Sequence, residues 1–186
     1  FPYTTLFRSS MLRGAEVTLI SGPTAIEPPM FVNVIPIISA QEMFEKVATN
    51  ATENDIIIKA AAVADYRPKE VCDEKIKKSD HDTEIELERT TDILAYLGKN
   101  KGKTFLCGFS METENMLENS RRKLDKKNLD MIVANNLKDK GAGFGVDTNL
   151  ITIITRDREL QLELMSKQDA ANCILDEIIR KIGNRE

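Results

Sequence analysis

Lys59-Ala-Ala-Ala-Val-Ala-Asp65-Tyr66-Arg67-Pro68 follows an Ile56-Ile-Ile58 run, and Glu74-Lys75-Ile76-Lys77-Lys78 lies a short way downstream. Three β-branched residues read as a buried strand. The small residues Ala60, Ala61 and Ala62 leave its backbone approachable. Asp65 and Arg67 stand where Pro68 is expected to end the strand, because proline cannot extend a ladder and restricts the residue before it. In open α/β sheets ligands sit at the carboxyl ends of strands. The chemistry on offer is capture of a phosphate or carboxylate by lysine, with Asp65 placed to hydrogen-bond a base or ribose or to meet a metal ion. The ordinary alternatives are a turn-capping carboxylate at Asp65 and a solvated loop face for Lys75, Lys77 and Lys78. Ile76 between the lysines favours one partial anchor, so that at least one ammonium points inward.

Three further strand ends carry unusual residues: Ser21-Gly-Pro-Thr24, Gly108-Phe109-Ser110 and Asn135-Asn136. Each alone is an ordinary turn, but parallel strands would set all of them on one rim. On a charged helix over about 113–127, Lys123 and Lys127 are spaced i, i+4 and share a face, with a solvated surface as the default reading. His81, among acidic residues, reads as solvent-exposed. Gly141-Ala-Gly143-Phe-Gly145 is no dinucleotide fingerprint, since it neither follows a strand directly nor opens a helix. No GxxxxGK[ST], HExxH or GxSxG occurs.

The elements that must position these residues follow from periodicity. Residues 16–20, 32–37, 56–58, 103–108 and 130–134 read as strands, and Pro36 marks the second as an edge. Ser39-Ala-Gln-Glu42 is a capping box opening a helix to about Thr49, and Thr90-Thr-Asp92 starts a short helix. Glu84-Ile-Glu-Leu-Glu88 alternates with period two, which predicts a half-exposed strand. Residues 150–155 and 159–163 form a hairpin. Ser166 caps a last helix with an apolar stripe of Ala171, Ile174, Leu175, Ile178, Ile179 and Ile182. This order predicts an α/β, Rossmann-like, three-layer, mostly parallel sheet with a C-terminal antiparallel hairpin.

Phe1 to Ser9 shows neither helical nor strand periodicity and has no signal-peptide h-region. Met11-Leu-Arg-Gly14 then reads as a helix tail with a C-cap glycine. Residues 1–10 are therefore expected to be a non-native leader, with one domain over 11–186.

The 186 residues suit one α/β core, with 41% apolar and 30% charged side chains. A net charge of −4 argues against nucleic-acid binding, which needs a broad basic field. Cys72, Cys107 and Cys173 are widely spaced, with no CxxC, so neither a disulfide framework nor a zinc site is expected and a cytoplasmic setting is. No apolar run reaches the length of a membrane span.

The motifs occur in a telling order. Ser21-Gly-Pro-Thr24, Ala60 to Pro68, Glu74 to Lys78, Thr91-Asp92-Ile93-Leu94, Gly108-Phe109 with Glu112-Thr113, Lys123 with Lys127-Asn128-Leu-Asp130, Ala134-Asn135-Asn136 and Phe144 to Asn149 follow one another. From about residue 12 to the end they closely resemble phosphopantothenate–cysteine ligase, the synthetase half of the bacterial coenzyme A biosynthesis flavoprotein. The resemblance implies that the carboxylate of 4'-phosphopantothenate attacks the α-phosphate of CTP, giving an acyl-cytidylate and pyrophosphate. The amine of cysteine then displaces CMP to form the amide. It also implies Mg2+ with CTP, a homodimer to which the late hairpin contributes, and FMN only where a decarboxylase domain is fused upstream.

By position, the resemblance makes Ala60, Ala61, Ala62 and Asp65 nucleotide contacts, and Lys75 the phosphate-binding lysine that assists transfer. It makes Thr91, Asp92, Ile93, Leu94 and Phe109 nucleotide-lining, and Lys123 and Lys127 the helix lysines that hold the triphosphate. The family's first strand, Gly-rich loop and Ser-Asn-rich segment have no counterpart in Phe1 to Ser10, which implies impaired phosphopantothenate binding and turnover. Two rival readings are an NAD(P)-dependent Rossmann reductase and a catalytically silent nucleotide-binding fragment.

Overall fold

A computed structural model describes residues 3–72, 74–75, 84–112, 114–136 and 147–183. In chain order these form α1 (Tyr3–Leu12), β1 (Thr18–Ser21), β2 (Asn33–Pro36), α2 (Ala40–Asn50), a 3-10 turn (Ala51–Glu53), β3 (Ile56–Lys59), β4 (Tyr66–Pro68) and β5 (Leu87–Arg89). There follow α3 (Ile93–Asn100), β6 (Phe105–Glu112), α4 (Met116–Lys126), β7 (Met131–Asn136), β8 (Thr148–Asn149), β9 (Ile151–Thr155), β10 (Glu159–Gln161), β11 (Met165–Ser166) and α5 (Lys167–Gly183).

The main sheet has the order β10-β9-β7-β6-β3. β3, β6 and β7 run parallel, while β9 and β10 turn back as the expected antiparallel hairpin. β1 and β2 form a separate parallel pair, with Pro36 on an edge where its missing N–H costs no ladder bond. Helices cover both faces, which makes the domain three-layered and Rossmann-like.

Strand alternation divides the core. Phe105, Cys107, Met131, Val133, Ile151 and Ile153 point to one face, where Leu6 of α1 and Ala171, Ile174 and Ile178 of α5 cover them. Leu106, Ile132, Ala134 and Ile154 point to the other, against Ile93, Leu94 and Leu97 of α3 and Leu124 of α4. Each fully buried Ile or Leu contributes about 1.5–3 kcal/mol through burial.

Local signals placed the helices well. Ser39 caps α2, accepting from the Glu42 N–H at 3.1 Å, and Glu42 Oε2 accepts from the Ile38 N–H at 3.0 Å. Asp92 caps α3 by accepting from the Ala95 N–H at 3.0 Å. Ser166 caps α5 through the Asp169 N–H.

Several expectations fail, each for a tertiary reason. Residues 3–12 are helical, and Leu6 is fully buried against α5, so contacts supply what periodicity lacked. The strand after Ile58 stops at Lys59, well before Asp65, and Pro68 itself pairs with Leu87 in the short β4–β5 ribbon. In that ribbon Leu87 is exposed, as is Ile85 before it, while Glu88 is half-buried, which inverts the expected alternation because no ribbon residue joins either core cluster. Ile179 lies off the buried stripe of α5 at 58% exposed. Phe109 to Glu112, expected as a turn, continue β6 because they pair with Val133 to Asn136.

Candidate functional site

The carboxyl end of β3 brings together two ammonium groups and two carboxylates. Lys59 is the last residue of β3 and lies in register with Gly108 of β6. A Cβ on Gly108 would stand 2.9 Å from Leu94 Cδ2 and 3.1 Å from Leu129 Cδ1, so the absent side chain lets α3 sit close to the sheet beside Lys59. Asp92 stands at the N-cap of α3 and Lys127 at the C-cap of α4. Lys127 Nζ reaches both Asp92 oxygens, at 3.1 Å to Oδ1 and 2.8 Å to Oδ2. Lys59 Nζ donates to the Ala61 carbonyl at 2.9 Å.

Electrostatics follow from this crowding. Burial, then the neighbouring Lys127 charge, hold the Lys59 ammonium below its usual range, against the pull of Asp92 and Asp65. Burial pushes the Asp92 carboxyl up, but the hydrogen bonds from Lys127 and the Ala95 N–H outweigh it and leave it below the usual carboxylate range.

Thr90 fixes the loop that follows β3. Its N–H donates to the Asp65 carbonyl at 3.0 Å and its hydroxyl to the Ala64 carbonyl at 2.5 Å. Asp65 is thereby held near the N-terminus of α3 with its side chain exposed. Ala60 is half-buried, and Ala61 and Ala62 are exposed in irregular backbone, as a ligand approaching the main chain requires. Beside this loop, Ala40, Gln41, Arg67, Arg89, Thr90 and Thr91 line a shallow cleft. Arg67 donates to Glu88 at 2.7 Å, and the Arg89 guanidinium lies 6.0 Å from the Tyr66 ring centroid.

A second polar group forms where β6 ends. Lys123 Nζ meets Glu112 Oε1 at 2.5 Å, Ser110 donates to the same oxygen at 3.0 Å, and Asn119 donates to Oε2 at 3.5 Å. Burial raises the Glu112 carboxyl, but these donors lower it more, led by Lys123.

The structure thus gathers Ala60 to Ala62, Asp65, Thr91, Asp92 and Lys127 around one strand end. It places others apart. Ile93 and Leu94 are 2% and 7% exposed, so both belong to the core. Phe109 packs against the core on the opposite face of the sheet. Lys123, though one turn from Lys127, is committed to Glu112. Lys75 is exposed, while Lys77, Lys78, His81 and Gly141 to Gly145 lie outside the described residues. Asn135 is buried, and its Oδ1 accepts no hydrogen bond among the described residues. Cys107 is buried and its thiol pushed well up by burial, Cys173 is half-buried, and Cys72 is exposed.

Sequence reasoning missed Lys59 as a member of the site. It reads as an interruption of an apolar run, and a cation ending a strand just before small residues was the signal available. Thr90 was equally hidden, because its role depends on a partner 26 positions away.

A cation-rich rim at the carboxyl ends of parallel strands, flanked by helix termini, defines an α/β domain of the Rossmann type suited to an anionic ligand. The chain belongs to the family described as "DNA/pantothenate metabolism flavoprotein C-terminal domain", whose sequence model matches residues 4–182. It is 46% identical over 175 residues to the coenzyme A biosynthesis bifunctional protein CoaBC of Bacillus subtilis (strain 168), covering 93% of this chain and 43% of the relative. It is 36% identical over 177 residues to the Escherichia coli (strain K12) protein of the same name, covering 93% of this chain and 44% of the relative. The chain therefore spans less than half the length of these curated relatives.

Among solved structures, it superposes on the C-terminal domain of a coenzyme A biosynthesis bifunctional protein CoaBC with a TM-score of 0.82 and 39% identity, covering 97% of this chain and 82% of that one. A DNA/pantothenate metabolism flavoprotein from Streptococcus pneumoniae shares the fold, with a TM-score of 0.81 at 18% identity over 96% of this chain and 86% of that one.

Proposed function

We propose that the domain ligates 4'-phosphopantothenate to cysteine at the expense of CTP, through an acyl-cytidylate. The observation that carries this reading is the likeness to the C-terminal domain of the coenzyme A biosynthesis proteins across nearly the whole chain. The gathered rim supports it. Attack of a carboxylate on an α-phosphate brings anions together, so the reaction needs fixed cations and donors where negative charge accumulates.

On this reading Lys127 and Lys123 exchange their carboxylate partners for triphosphate oxygens, and Lys75 meets the phosphates from its loop. The exposed backbone at Ala61 and Ala62 lies along the nucleotide, and the Asp65 carboxylate accepts from its base or ribose hydroxyls. Thr91 and the backbone of Asp92 to Leu94 wall the other side. The cysteine amine then attacks the acyl carbon of the cytidylate, the C–N bond forms, and CMP leaves with the electrons of the C–O bond.

Mg2+ fits this site as the counter-ion of the triphosphate. It would arrive on the phosphate oxygens. FMN belongs to the proposal only through a fused decarboxylase. A homodimer and a cytoplasmic setting complete it. No helix among the described residues is long and apolar enough to cross a membrane.

The test is pyrophosphate release from CTP and from ATP in parallel, with 4'-phosphopantothenate present and cysteine then added. Pyrophosphate formed with CTP, followed by cysteine-dependent CMP release, supports the reading. Release with neither nucleotide, under conditions where the CoaBC relative turns over, overturns it.

A further inference from the structure

We propose that Lys59 is a further phosphate-binding residue of this site. The inference rests on the ligase reading only for the identity of the phosphate compound.

Among the described residues Lys59 makes no salt bridge, although two carboxylates act on it. Two ammonium groups, Lys59 and Lys127, act on one another beside Asp92. Asp92 is already committed, both oxygens to Lys127 and Oδ1 also to the Ala95 N–H. The remaining carboxylate, Asp65, is exposed to solvent. The acceptor for Lys59 is an uncharged carbonyl two residues along its own chain. That bond is local and exchangeable, and it offsets none of the charge.

Desolvation disfavours the charged amine, and a cationic neighbour disfavours it further. The titratable groups acting on Lys59 are Lys127 from the end of α4, Asp92 from the start of α3 and Asp65 from its own loop. A phosphate entering here supplies what these groups do not. Its oxygens are charged, accept several hydrogen bonds and can bridge both lysines.

The bland alternative is a half-buried lysine snorkelling to its own backbone, whose removal would leave ligand binding alone. Calorimetry separates the two. Binding of CTP, inorganic pyrophosphate and 4'-phosphopantothenate is measured at about pH 8.5, between the carboxylate and lysine ranges. The full chain is compared with Lys59→Met and Lys59→Arg.

The expected result is a loss of about tenfold or more in affinity for Lys59→Met, the scale of a charged hydrogen bond. Lys59→Arg should retain affinity, because arginine keeps the charge and the donors. Loss confined to CTP and pyrophosphate assigns the contact to the polyphosphate. Loss confined to 4'-phosphopantothenate assigns it to that phosphate. Either supports the proposal.

Wild-type affinity of Lys59→Met for all three ligands overturns it while leaving the ligase reading standing. Lys59-dependent binding of pyrophosphate without any of CTP overturns the nucleotide reading instead. Absence of any phosphate binding by the wild-type chain overturns both.

Discussion

Lys127 Nζ grips both oxygens of Asp92, at 3.1 and 2.8 Å, and so ties the C-terminus of α4 to the N-cap of α3. The Lys127 ammonium thereby reaches the N-terminus of α3 beside Lys59. The pair has a stability role, through the cap, and a ligand role, through the lysine.

The two roles separate by mutation. Asp92→Ala removes the cap on the Ala95 N–H and should cost about 1 kcal/mol of stability. Lys127→Ala breaks a partly exposed pair, worth about 0–1 kcal/mol, yet should weaken CTP binding by about tenfold or more. Thermal melts and CTP titrations on both variants check this. A Lys127→Ala protein that binds CTP normally contradicts the role given to that lysine.

Gly98 controls where Lys127 sits. A Cβ there would lie 1.7 Å from the Lys127 carbonyl oxygen, and Asn128, at φ 50°, donates to the Gly98 carbonyl at 2.8 Å. The obstacle is backbone and cannot rotate away. Gly98→Ala should cost about 1–3 kcal/mol or more through overpacking and should lower CTP affinity as well. Gly183→Ala, with nothing within 4 Å, is the control and should leave both unchanged. Denaturant unfolding with a binding assay reads both effects.

Glu112 gives a pH signature. Its folded value is depressed below 4.5, so its contribution is complete above that value and is lost as pH falls through the folded value. Glu112→Gln should destabilise the protein by about 1–3 kcal/mol at neutral pH, the scale of a charged hydrogen bond. The gap between wild type and variant should close under acid. Melting temperatures followed from neutral pH downward test the sign, and a gap that widens under acid contradicts it.

Asp130 anchors the start of β7. Its Oδ2 accepts from Lys101 at 2.7 Å and from the Leu106 N–H at 2.8 Å, and the two charged side chains are only 12% and 13% exposed. Asp130→Ala leaves a buried ammonium unpaired and should cost about 3–5 kcal/mol, read by chemical denaturation. It lies at the amino end of β7, away from the carboxyl end of β3, so CTP affinity of the folded fraction should hold.

The capping residues Ser39, Asp92 and Ser166 and the period of residues 150–163 were legible because each is a local signal whose partner lies within a few residues. Ile93 and Leu94 show the opposite. They fell inside a motif that reads as ligand-lining, but the helical phase set by Asp92 turns both side chains into the core. Phe109 was expected just past the end of its strand, but β6 continues beyond Gly108 and alternation sends it to the other face.

By itself the sequence determined the order of elements, the mostly parallel sheet with its late hairpin, and the strand end where a ligand would sit. Hydrophobic period, caps and breakers act over a few residues, and the physics they report is local. Only the tertiary structure decided which charges share that strand end. Lys127 and Asp92 lie 35 positions apart, and nothing between them in the chain specifies the meeting. It is set by how closely α3 and α4 pack on the sheet, where Gly98 and Gly108 allow contact and Lys127 comes to share Asp92 with Lys59.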